Sequence, residues 1–182
     1  CAQSAHHHTG VTEYALLSEQ EIVAQAQKNH EQGVLRYSIV TSGKRLSEQE
    51  VDEMCRVVAS IKQKVGISVC VSFGLLEEQQ FRKLKEAGVT RVHNNLETSR
   101  RYFPQICTTH TFDDKVRAIR AAQAAGLSVC SGGIMGLGET VQDRIDMAMS
   151  LRDLGIKSVP INMLNPIPGT PFAHNPKLSQ TD

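Results

Sequence analysis

No stretch of this 182-residue chain carries a long run of one charge; 20 Lys and Arg stand against 19 Asp and Glu, a net charge of +1. That balance leaves no electrostatic footprint for nucleic acid or an anionic membrane and points to small-molecule partners. Long apolar runs are missing too. Charge or glycine interrupts each one well before the roughly 18 residues a membrane span needs, and the first ten residues do not form a signal peptide, so the expectation is a soluble, cytoplasmic protein. Dense cysteine spacing is also absent. Cys1, Cys55, Cys70, Cys107 and Cys130 make an odd, scattered set, which excludes a secreted disulfide scaffold and favours reduced thiols or metal ligands. The histidines at 6–8 read as a surface turn before a tag remnant or a metal tract. At 40% hydrophobic residues the chain can bury one core, a single domain over 1–182, yet it falls short of the roughly 250 residues of a complete α/β barrel.

What is present is a repeating unit: polar cap, amphipathic helix, glycine stop, short β-branched run. SEQE at 18–21 and again at 47–50 are capping boxes, in which the serine oxygen accepts an orphan amide and the glutamate reaches back to the cap. Helices opened there, and others near 77–87, 112–125 and 140–154, stop at Gly33, Gly66, Gly88, Gly126 and Gly155, since glycine tolerates the left-handed helix end. VLRYSIV, ISVCVSF, VTRVHNNL, LSVCSGG and KSVPINML follow and read as strands. Strict alternation implies parallel strands with right-handed crossovers, so the expected fold is α/β, an incomplete TIM-type (β/α) barrel of about five units, with a doubly wound sheet as the alternative. Chemistry then belongs at the C-terminal strand ends.

Two thiols arrive at matching offsets. In Gly66-ISVC and Gly126-LSVC the cysteine lies four residues past the glycine, so Ser68 with Cys70, and Ser128 with Cys130, share one strand face. An isolated buried cysteine is usually a small core filler. The paired offsets and polar neighbours favour a site instead. Ser38 and His93 lie five residues past their glycines, near the same layer. Cys55 falls mid-helix and reads as core. Cys107, in the loop after the third strand, reads equally as a loop thiol or a site thiol. HNNLETS at 93–99 and Asn162 add amide donors and acceptors that suit a urea-like group, and a carboxylate, Glu97, that suits a ribose diol.

VCSGGIMGLGE at 129–139 is glycine-rich, but Gly133, Gly136 and Gly138 are spaced GxxGxG, the reverse of the dinucleotide fingerprint, and no partner acid follows. These glycines are expected to let a ligand lie against open backbone. Glu139 is expected to support the turn and the next helix start.

In chain order, CAQSAHHHTG, HNNLETS, CTTHT, VCSGGIMGLGET and VPINMLNPIPGTP resemble the biotin synthases, radical S-adenosylmethionine (SAM) enzymes, over essentially all 182 residues. The resemblance implies a barrel in which a CxxxCxxC loop holds a 4Fe-4S cluster. Cys1 would be its third cysteine, with the first two ahead of residue 1 and the last strands beyond residue 182, so the chain alone is expected to be inactive. Three thiolates leave one iron open to chelate SAM, and an electron from a donor such as flavodoxin or ferredoxin cleaves the sulfonium to a 5′-deoxyadenosyl radical. That radical abstracts hydrogen from dethiobiotin, and an auxiliary iron-sulfur cluster donates the inserted sulfur.

By the same resemblance, Cys70 and Cys130 ligate the auxiliary cluster and Asn95 and Asn162 hold the ureido ring. Asn95, Glu97, Gly133 and Ile134 line the SAM site, with Glu97 on the ribose and the Ile134 backbone on adenine. Thr41 and Ser42, with Gly43, meet the methionine end. Ser38 stands where most family members carry a ligand cysteine, which makes Cys107 the candidate replacement. The resemblance allows a homodimer. Two other readings stay open: a related radical SAM enzyme with another substrate, and a non-catalytic fragment that binds a ligand or metal.

Overall fold

The computed structural model describes residues 6–12 and 14–179. Along the chain run α1 (Glu19–Glu31), β1 (Arg36–Val40), α2 (Glu48–Lys64), β2 (Ser68–Ser72), α3 (Glu78–Ala87), β3 (Val89–His93), α4 (Phe103–Ile106), α5 (Phe112–Ala124), β4 (Ser128–Cys130), β5 (Gly133–Met135), α6 (Val141–Asp153) and β6 (Ile161–Met163). Both SEQE boxes form: the Ser18 and Ser47 hydroxyls accept the Glu21 and Glu50 amides, and each glutamate accepts from its serine. Gly88, at φ 117°, ends α3 in the left-handed region. The one-turn α4, and a Thr111/Asp114 box at the start of α5, are features that periodicity did not reveal.

The chain divides into two compact units. One comprises 15–94 and 117–129, and holds α1 to α3, β1 to β3, most of α5 and the start of β4. Its sheet follows the order β1-β2-β3-β4. β1 runs parallel to β2 and β2 to β3. Period-2 alternation sorts the faces: Val69, Val71 and Ile39 are buried, as are Val51, Met54, Val57, Val58 and Ile61 of α2 and Phe81 and Leu84 of α3. Each fully buried side chain of this kind contributes about 1.5–3 kcal/mol, which is what holds the helices to the sheet.

Register refines the expected layer. Ser38 lies opposite Cys70, as the matching offsets suggest. On the other side Arg91, not His93, lies opposite Cys70, because β3 pairs from its first residue after Gly88, with Val89 opposite Val69, and the register shift between Val69 and Cys70 recovers only one position. The loop after β1 carries Thr41 and Ser42. The Thr41 amide donates to Ser72 O (3.2 Å), and Lys44 O accepts from the Leu75 amide (3.0 Å). Gly74 makes that second contact feasible, since a Cβ there would sit 2.2 Å from Lys44 O.

The second unit comprises 95–116, 130–182 and the described part of 1–14. Here the five-strand expectation needs correcting. β4 ends at Cys130, and the glycine run resumes as a strand of its own, β5, parallel to β6 in a separate two-stranded sheet. Among the described residues no helix is long and apolar enough to cross a membrane.

Gly74→Ala is expected to destabilise the protein by about 3 kcal/mol, combining a left-handed φ with a backbone clash. Urea denaturation checks this, and a change below about 1 kcal/mol would mean that the Lys44 loop moves aside freely.

Candidate functional site

The second unit builds its site from three backbone segments. The Gly132 amide donates to Asn95 Oδ1 at 2.9 Å, which fixes the orientation of the carboxamide. Glu97 N donates to Gly132 O (3.0 Å), Ile134 N to Glu97 O (2.9 Å), Gly133 N to Pro160 O (3.2 Å) and Leu164 N to Met135 O (2.8 Å). Glu97 bridges to Gly133, and Ile134 pairs in register with Asn162. Five of the residues singled out in the sequence, Asn95, Glu97, Gly133, Ile134 and Asn162, thus meet on adjoining backbone. Glu97 sits at φ 71°, a left-handed conformation that costs a non-glycine residue about 1–2 kcal/mol. Its two clamped backbone groups hold it there.

The glycines answer to this clamp. A Cβ on Gly132 would lie 1.8 Å from Pro160 O, and one on Gly133 would lie 2.4 Å from both Glu97 O and Met147 Sδ. The space that the sequence assigns to a ligand is filled at these two positions by the chain itself.

Beyond β5, the turn is held by side chains. Gly136 N and Arg144 Nε both donate to Glu139 Oε1 at 2.9 Å. Burial alone would raise the Glu139 carboxyl, but these donors bring it below its ordinary value. Glu139 therefore supports the turn as expected. The Tyr102 hydroxyl donates to Leu137 O (3.1 Å), and Asn175 Nδ2 to Gly136 O (2.9 Å). Thr140 caps α6 in a box with Asp143. The fully buried Asp143 carboxylate accepts from the Ser99 hydroxyl (2.6 Å) and pairs with Arg101. The Ser99 hydrogen bond, with those of Thr140 and Arg101, holds it well below the usual carboxylate range despite burial.

The loop before α5 gathers a second set of groups. Cys107 Sγ stands 3.3 Å from His110 Nδ1, 3.7 Å from its Nε2 and 3.5 Å from Thr109 Oγ1. Thr109 Oγ1 is 3.1 Å from His110 Nδ1. Phe103 packs edge-on against the His110 ring, with centroids 5.6 Å apart. Burial lowers the Lys115 ammonium pKa, while the Glu97 carboxylate and the Cys107 sulfur act to raise it.

Of the other residues expected in a site, Thr41, Ser42 and Cys70 belong to the first unit, and Cys1 lies outside the described residues. Cys130 is buried and bridges to Ser158. Cys55, Cys70, Cys107 and Cys130 are all free thiols. Cys55 is half-buried on α2, and burial raises its pKa, in keeping with a packing role. Among the described residues no group of three or more His, Cys, Asp or Glu side chains could hold a metal ion. Reading the sequence missed His110, Lys115 and the Ser99–Arg101–Asp143 set. CTTHT did carry a signal, a histidine three residues after a cysteine, whereas Lys115 looked like any solvent-facing helix lysine.

Residues 1–151 match the radical SAM superfamily. Over 182 residues the chain is 57% identical to a biotin synthase of Akkermansia muciniphila, covering 100% of this chain and 57% of that protein. It is 54% identical over 179 residues to biotin synthase 2 of Corynebacterium diphtheriae, covering 98% of this chain and 54% of that one. The chain thus spans a little over half the length of these relatives. Methylornithine synthase (PylB) superposes with a TM-score of 0.86 at 19% identity, over 100% of this chain and 53% of that one. The FeFe-hydrogenase maturase HydG from Carboxydothermus hydrogenoformans gives 0.76 at 21% identity, over 92% and 42%. At such identities the likeness concerns the fold, which is α/β with parallel strands, part of a TIM barrel.

Asp143→Asn is expected to lower the urea midpoint at pH 7. Because the folded carboxyl lies below its unfolded value of about 3.9, its contribution is complete above that pH and is lost as the pH falls through and below it. The gap between wild type and variant should therefore close on acidification. A gap that is constant down to pH 3 would show that the carboxylate charge is not what stabilises the turn.

Proposed function

The chain belongs to the radical SAM superfamily, and from that premise we propose that it forms part of the catalytic barrel of a sulfur-inserting enzyme that converts dethiobiotin to biotin. The observation that carries this reading is the clamp in which Asn95, Glu97, Ile134 and Asn162 meet on paired backbone. It offers amide groups for a cyclic urea beside a carboxylate for a ribose diol, on one rigid support.

The residues fit the implied groups. Cys70 and Cys130 are buried free thiols, soft ligands of the kind iron-sulfur clusters take. Thr98 Oγ1 and Ser131 Oγ, adjacent in sequence to Glu97 and Cys130, are buried without a hydrogen-bond partner among the described residues, and a polar ligand or water would satisfy them. Bound SAM with a reduced 4Fe-4S cluster supplies radical hydrogen abstraction, and an auxiliary cluster supplies sulfur.

The chain's own part is to bind and orient. Asn95, with Oδ1 committed to Gly132, is left to donate through Nδ2 to a ureido carbonyl, and Asn162 provides a second amide for that ring. Glu97 accepts from the ribose hydroxyls. The Gly133 and Ile134 amides are already spent within the clamp, so contact with adenine falls to the rest of that segment. Thr41 and Ser42 are assigned to the methionine end of SAM, Cys1 to the first cluster, and Cys70, Cys107 and Cys130 to the auxiliary cluster. Residues 1–182 form part of one barrel domain in this reading. The enzyme would work in the cytoplasm, as a homodimer, with a flavodoxin or ferredoxin as reductant.

A second reading, a related radical SAM enzyme with another substrate, draws on Ser38, a poor iron ligand directly opposite Cys70. The intact protein, reconstituted anaerobically with iron and sulfide, separates the two. Dethiobiotin-dependent cleavage of SAM is expected, and Asn95→Ala should lower kcat/KM about 10–100-fold, the loss of one or two buried hydrogen bonds. Cleavage indifferent to dethiobiotin would favour the second reading, and no cleavage would favour a non-catalytic ligand-binding role. Cys107→Ala is expected to remove the auxiliary iron and sulfide; unchanged cluster content would remove Cys107 from the ligand set.

A further inference from the structure

We propose that Ser99 and Tyr102 are positioning residues of the nucleoside site: the segment 99–102 sets the spacing between the Glu97 carboxylate and the backbone of the turn at 136–138. This inference rests on the reading above, in which Glu97 takes the ribose of SAM and the segment after Ile134 takes adenine, and it adds what holds those two walls at one distance.

The clamp secures Glu97 from one side. Its amide donates to Gly132 O and its carbonyl accepts from the Ile134 amide, yet a residue at φ 71° keeps that conformation only where the chain around it is over-determined. Ser99 supplies an anchor two residues further on. Its fully buried hydroxyl donates to Asp143 Oδ1 (2.6 Å) and accepts from the Tyr102 amide (3.0 Å), while its carbonyl accepts from the Phe103 amide (2.9 Å). Asp143, in the first turn of α6, is held in turn by the Thr140 amide (2.9 Å), the Thr140 hydroxyl (2.7 Å) and Arg101. The chain leaving Glu97 is therefore tied to the start of α6.

Tyr102 reaches the other wall. Its hydroxyl donates to Leu137 O at 3.1 Å, and Gly138 leaves room for it, since a Cβ there would lie 2.6 Å from the same oxygen. Next to Leu137, the Gly136 amide goes to Glu139 and the Gly136 carbonyl to Asn175, which hold the turn from elsewhere. One segment thus braces both walls, and all of it lies in the second unit. Thr98, between Glu97 and Ser99, is 2% exposed, and its hydroxyl has no hydrogen-bond partner among the described residues, so a polar group beside Glu97 is left for a ligand or water. Groups fixed in advance bind without first being ordered, and that gain appears in affinity.

The test measures the Kd and KM of SAM in the intact protein, reconstituted anaerobically with iron and sulfide, with circular dichroism and iron content checking each variant. Ser99→Ala and Tyr102→Phe should each raise Kd about 5–10-fold, the loss of one or two buried hydrogen bonds, with kcat at saturating SAM within about twofold of wild type. Glu97→Gln should also raise Kd, and in that background Ser99→Ala should cost no more than about twofold further, because its effect runs through Glu97. A merely structural serine would add its full penalty there. Full additivity, or unchanged Kd in folded Ser99→Ala and Tyr102→Phe, would overturn the inference and leave the reading of the site standing so long as Glu97→Gln weakens SAM. If Ser99→Ala does not fold, Tyr102→Phe decides, since it removes a hydroxyl and keeps the ring. Unchanged affinity in Glu97→Gln, or no affinity for SAM in wild type, would overturn the inference together with the nucleoside assignment on which it rests.

Discussion

The hydrogen bonds between 95–97 and 132–134 are what the second unit depends on. Gly132 gives its amide to Asn95 and its carbonyl to Glu97, while Glu97 returns its own carbonyl to Ile134. Each bond contributes only about 0.5–1.5 kcal/mol net, but leaving any of these buried groups unmade costs about 1–3 kcal/mol. That asymmetry holds Glu97 in a left-handed conformation and forbids a side chain at 132 and 133. It also sets where β5 starts, and through the β5–β6 register it sets where Asn162 lies.

Two charged groups work outward from the clamp in different ways. Asp143 is buried with its donors complete, so it acts as a lock between the loop after β3 and the start of α6. Burial lowers the Lys115 ammonium pKa, against the opposing pull of the Glu97 carboxylate and the Cys107 sulfur.

Ser38 sharpens the question of the auxiliary cluster. Its position opposite Cys70 puts a hydroxyl beside a thiol proposed as a ligand, where a second thiol would serve iron better. Cys107, in the second unit and in the loop before α5, is the thiol proposed in its place. Neither residue explains the chemistry alone.

Sequence alone determined the helices, their caps and the alternation with strands, because capping and 3.6-residue or 2-residue periodicity are local and survive in any context. Both SEQE boxes and the glycine stops therefore read correctly. It also named Asn95, Glu97, Ile134 and Asn162, because polar groups at strand ends stand out against β-branched runs and because the motifs recur in family order. It could not show that GIM at 133–135 is a strand, since the reason for Gly132 and Gly133 is Pro160 O and Glu97 O, distant in sequence and close in space. Nor could it show the β2–β3 register that puts Arg91, not His93, beside Cys70, or the half-buried place of Lys115. Only tertiary structure decided these, because each depends on which backbone comes to lie against which, and a pattern of residue types along one segment does not contain that information.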